Sequence, residues 1–128
     1  MKFRSFLSAL ALLAIPSAWA HHSLAAEFDS TKPISLTGTL ISIDWRNPHA
    51  WIYMEVKGEN GQVVKWQAEL GSPNAMSRAG FGPDSVKPGD EIVLDGLLAK
   101  DGSKTVNTRV VKSKDGKVLL SQQAAPAR

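Results

Sequence analysis

A chain of 128 residues with no cysteine excludes disulfides, thiolate metal sites and thiol nucleophiles, so any metal chemistry must use nitrogen and oxygen donors. Fifteen Lys and Arg against twelve Asp and Glu give a formal charge of +3, and losing Lys2 and Arg4 with the leader described next lowers it to +1. So small a surplus argues against a nucleic-acid partner and against adsorption to a membrane surface.

The chain opens with Lys2 and Arg4, an apolar run from Phe6 to Ile15, then Pro16 and the triplet Ala18-Trp19-Ala20. That order predicts a secretory signal peptide over residues 1–20, cut after Ala20. The apolar run is too short to span a bilayer, which takes about 20 residues. The expected product is therefore a soluble periplasmic or secreted domain with no membrane insertion, beginning at His21-His22. Residues 21–33, ending at Pro33, read as an irregular lead-in.

A β-branched stretch from Ile34 to about Trp45 predicts a long first strand. Leu36, Gly38 and Leu40 share one parity and Ile41, Ile43 and Trp45 the other, so the strand should bend or bulge near the glycine. Arg46-Asn47-Pro48 is turn chemistry. Ala50 to Lys57 then alternates, with Ile52, Met54 and Val56 facing inward and His49, Trp51 and Tyr53 outward. Asn60-Gly61 signals a hairpin into Val63–Leu70, where Val64, Trp66, Ala68 and Leu70 read as core and Lys65, Gln67 and Glu69 as outward. Ser72-Pro73 predicts a helix cap, and Gly80 its end, with Phe81 packing beneath. Strands follow at Glu91–Ala99, Thr105–Lys112 and Lys117–Ser121, joined by turns at Asp101-Gly102 and Asp115-Gly116. The tail, residues 122–128, has no periodicity and reads as disordered.

Three strands, a short helix, then two strands and a small addition predict an all-β fold. Its expected form is an OB-like Greek-key barrel of five to six strands over residues 34–121, with the helix between strands three and four. A plain antiparallel sandwich fits the same pattern.

Two constellations carry chemistry. Cleavage after Ala20 would give His21 a free amine beside its imidazole, with a second imidazole on His22 and the remaining histidine of the chain at His49. That nitrogen-rich set suits Cu(II) best, then Ni(II) or Zn(II). Read otherwise, the histidine pair is a solvated chain end that holds no metal. The second constellation is an aromatic face. Trp51 and Tyr53, with Lys65, Gln67 and Glu69 beside them, would form a ligand surface rimmed by Trp45, Arg46 and Asn47 and by the hairpin Lys100–Lys104. The same tryptophans read equally as a satellite core under the lead-in. No Gly-x-Ser-x-Gly elbow, phosphate loop or dinucleotide fingerprint is present, so the expectation is a binding protein and not an enzyme.

The segments His21-His22-Ser23, Trp45-x-Asn47-Pro48-His49-Ala50-Trp51, Glu69-Leu70-Gly71-Ser72-Pro73-Asn74 and Lys87-Pro88-Gly89-Asp90 resemble a family of small exported bacterial proteins of unknown function. The resemblance implies a periplasmic protein and supplies no catalytic or binding residues. The N-terminal histidine also resembles that of periplasmic copper-resistance carriers, whose first mature residue chelates copper. The reading that follows is a periplasmic protein binding Cu(II) or a similar ion through His21, His22 and His49. The alternative is an interaction module binding a glycan, a peptide or an envelope protein through its aromatics.

Overall fold

Alternation and turn chemistry translate into a mostly β chain. The computed structural model describes residues 24–122; the expected signal peptide, His21, His22 and residues 123–128 lie outside them. In order come α1 (Leu24–Glu27), β1 (Phe28–Asp44), β2 (Trp51–Lys57), β3 (Val63–Glu69), α2 (Pro73–Arg78), β4 (Glu91–Ala99), β5 (Thr105–Ser113) and β6 (Val118–Ser121). The strand order is β3-β2-β1-β4-β5-β6, with every neighbour in that order antiparallel. One further pairing, short and parallel, joins β3 to β5 at Gln67–Thr105, Ala68–Val106 and Glu69–Asn107.

The first strand starts earlier than alternation indicates. Residues 28–33, expected as irregular lead-in, are part of β1, and residues 24–27 form one helical turn. The reason is non-local: Phe28 registers with Ala99, and the Lys100 backbone N–H donates to the Glu27 carbonyl. Phe28 is buried there. Gln122, expected as the first residue of a disordered tail, is likewise held in place. Gln122 donates its backbone N–H to Arg109, accepts from the Gly71 N–H through Oε1, and donates through Nε2 to the Thr108 carbonyl.

The predicted change of phase in β1 is a bulge. Leu40 registers with Met54 and Ser42 with Tyr53, which leaves Ile41 as the extra residue, turned outward and exposed. Beyond it Ile43 and Trp45 pack against the core. The inward faces of β1, β2, β4 and β5 meet there around Leu40, Ile52, Met54, Ile92, Leu94 and Val111. α2 closes one end of this core. The Ala75 N–H donates to the Ser72 hydroxyl, Gly80 takes a φ of 80°, and the Phe81 N–H returns to the Met76 carbonyl. That left-handed cap directs Phe81 into the core.

Across β1 and β4 the Asp95 carboxyl accepts from Ser35 and from Lys112 Nζ, each at 2.6 Å. The Lys112 bond, then the Ser35 bond, hold Asp95 below the usual carboxylate range. A carboxyl with a depressed folded pKa stabilises the fold above its unfolded value of about 3.9, and that contribution disappears as pH falls through the folded value. Asp95→Asn should therefore cost about 0.5–1 kcal/mol at pH 7, the group being partly exposed, and almost nothing near pH 2. Urea unfolding of both proteins at the two pH values reads the difference.

Candidate functional site

β2 and β3 carry the outward residues that the sequence singles out, and their register decides which of them meet. Trp51 lies opposite Glu69, Tyr53 opposite Gln67, and Glu55 opposite Lys65. The parallel pairing places Thr105 beside Gln67 and Asn107 beside Glu69. Glu69 is thus flanked on both sides, and it is buried although the alternation marks it as outward. Lys65 and Gln67 stay exposed.

The buried Glu69 carboxyl pairs with Nδ1 of His49. His49 sits in the loop before β2, after the cis Asn47–Pro48 bond, with half of its side chain exposed. When Nδ1 carries the proton and donates to Glu69, the lone pair rests on Nε2, which is the tautomer suited to metal ligation. Among the described residues no group of three or more His, Cys, Asp or Glu is placed to hold a metal ion.

A cavity of about 620 Å³ opens over Trp51, the register partner of Glu69. Its walls include Glu27 and Phe28 from the start of the chain, Trp51 and Gln67 from the sheet, and Lys100, Ser103 and Thr105 from the β4–β5 hairpin. The Lys100 ammonium is tied to the Ala25 carbonyl, which fastens α1 along the rim. A second hollow of about 250 Å³ adjoins it, lined by Tyr53, Lys65, Trp66, Gln67, Ser103, Lys104 and Thr105. The two share Gln67, Ser103 and Thr105, whose side chains form a hydrogen-bonded chain. Gln67 Nε2 donates to Thr105 Oγ1 at 3.0 Å, and Ser103 Oγ donates to the same oxygen at 2.9 Å.

The structure thus gathers Trp51, Tyr53, Lys65 and Gln67 around two joined hollows and pairs Glu69 with His49. The other expected rim residues lie apart. Trp45 turns against Phe81, with ring centroids 5.8 Å apart, and packs on the core. Arg46 pairs with Asp44 at 3.1 Å, and Asn47 is exposed in the loop. The lining residues that alternation did not point to include Glu27 and Phe28 from the start of the chain, Thr105 and Trp66. Thr105 enters through the non-local parallel pairing. Trp66 has core parity and packs against the core, yet it is only partly buried, lines the smaller hollow and carries the Lys104 ammonium 5.1 Å from its ring centroid.

A family of unknown function, DUF6152, matches residues 9–108. The chain belongs to this family. The match takes in His21, His22, His49 and both walls of the hollows, and ends within β5. No curated protein matches the chain. No described helix is long and apolar enough to cross a membrane.

Proposed function

We propose that this member of the family is a periplasmic metal-binding protein, built as an OB-like barrel and holding Cu(II) or a similar ion between its processed N-terminus and His49. The barrel reading draws support from the β3–β5 pairing, from a long β1 that pairs with both β2 and β4, and from α2 lying between β3 and β4. The metal reading rests on the His49–Glu69 pair. A buried carboxyl that orients an imidazole by one nitrogen, with the ring half exposed, is the arrangement metal-binding histidines use. A free amine and imidazole at His21 would supply the remaining donors, with His22 beside them. In support, three residues, extending on the order of 10 Å, join His21 to α1, and α1 lines the same cavity as Trp51, the register partner of Glu69.

Adding one residue before His21 blocks the amine without touching the fold. Copper titration of the two forms should show at least a tenfold loss of affinity in the extended one, equivalent to about 1.4 kcal/mol. Glu69→Gln should weaken binding about 10–100-fold by releasing the His49 ring. Equal affinity in the processed and extended forms would refute an amine-anchored site. Because the amine and both rings must be deprotonated to bind, affinity should weaken as pH is lowered.

A second reading is favoured by the joined hollows. Their volume, their half-buried aromatics and the preset Gln67–Thr105–Ser103 chain suit a small ligand or a segment of a partner.

A further inference from the structure

Resting on that second reading, we propose that the two joined hollows bind an acidic oligosaccharide, with the acid-bearing ring of the uronate class seated in the smaller one. The smaller hollow carries two ammonium groups, Lys65 and Lys104, and no carboxyl among its lining residues. Among the described residues no carboxyl lies within ion-pairing distance of either lysine. Lys65 faces Glu55 across the β2–β3 register without pairing to it. The nearest hairpin acid, Asp101, lines the larger cavity, and its carboxyl is occupied by the Ser103 backbone N–H at 2.9 Å.

The remaining groups match a sugar. Thr105 Oγ1 accepts twice, from Gln67 and from Ser103, so its own proton and the Gln67 Oε1 lone pairs stay available to ring hydroxyls. Tyr53 and Trp66 line the smaller hollow and offer apolar surface to a pyranose ring, and Trp51 offers a second platform in the larger cavity for the next ring.

Two other polyanions fit less well. A nucleic acid brings a phosphate for every base and needs a continuous basic track, whereas the larger cavity presents Glu27 and Asp101. A peptide strand would add to the β3 edge, but β5 and the Gln67 N–H bond to the Lys104 carbonyl take up residues 67–69 and leave only the short stretch Val63–Trp66 open.

The test is calorimetric titration of the processed chain at low salt with galacturonosyl-galactobiose, which carries one acid on its terminal ring, neutral galactotriose, triglutamate and a short oligothymidylate. The single-acid trisaccharide should bind at least tenfold tighter than the other three. Lys65→Gln and Lys104→Gln, checked for an unchanged urea midpoint, should each weaken it several-fold while leaving copper affinity as it was. Added salt should weaken it further. Equal binding of galactotriose would overturn the acid selectivity and leave the ligand face standing; binding of none of the four would overturn both. Tighter binding of triglutamate or oligothymidylate, or unchanged affinity for the acidic trisaccharide in both lysine variants, would also overturn the proposal.

Discussion

Phe81→Ala is expected to cost about 3–5 kcal/mol, the range for truncating a fully buried aromatic. Phe81 has no exposed surface and is among the largest fully buried side chains. It joins α2 to the β-core: its N–H closes the helix cap on Met76, and its ring lies 5.8 Å from that of Trp45. Removing it would leave a void beneath a six-residue helix that has little stability of its own. Urea unfolding followed by tryptophan fluorescence should show a lower midpoint with little change in slope. A loss under about 1 kcal/mol would mean that the helix end collapses to fill the space, and that Phe81 is not the anchor its packing implies.

Gly96→Ala should destabilise by about 3 kcal/mol, the upper end for overpacking. A Cβ at Gly96 would stand 2.2 Å from the Asn107 carbonyl oxygen and 2.5 Å from Val106 Cγ1. The oxygen belongs to the backbone of the neighbouring strand, so no rotamer change relieves the overlap. Gly96 also lies at the β4–β5 irregularity, where Asp95 registers with Val110 and Gly96 with Thr108. Any displacement would shift β5, which carries Thr105 into the hollows, so ligand binding should suffer along with stability. Gly82→Ala is the matched control: nothing lies within 4 Å of a Cβ there, and the change should stay within about 0.5 kcal/mol. Comparable losses at the two positions, read from the same urea midpoints, would refute the close-approach argument.

The two proposed ligands occupy neighbouring parts of one surface, and the strand register links them. Trp51 walls the larger cavity and is the partner of Glu69, which holds His49. An ion at His49 and a glycan over Trp51 would therefore sit close enough to sense each other. Separate copper and sugar titrations of the same variants keep the two readings independent.

Much of the local structure is legible from residue order, because it depends on contacts only a few positions apart. The Asn60-Gly61, Asp101-Gly102 and Asp115-Gly116 turns each place their glycine at positive φ, where a side chain would be strained. The Ser72 cap, the Gly80 stop and the inward set Ile52, Met54 and Ala68 follow from spacing alone. Other features follow no local rule. Polar residues 29–32 show no alternation, yet they lie in β1 because Phe28 pairs with Ala99 and Glu27 with Lys100. The outward parity of Glu69 predicts exposure, but Trp51 on one side and Asn107 on the other enclose it.

By itself, then, the order of residues determined the mostly β character of the chain, its turns, its helix caps and which side chains line the core, since these depend on backbone preference and side-chain period. Only the tertiary structure decided that Glu69 meets His49, that Trp45 leaves the ligand face for Phe81, and that Thr105 and Trp66 join it. Those outcomes hang on which strand lies beside which, and on the offset between them. Pairings such as β3 with β5 bring together residues almost forty positions apart, a separation over which side-chain alternation carries no information.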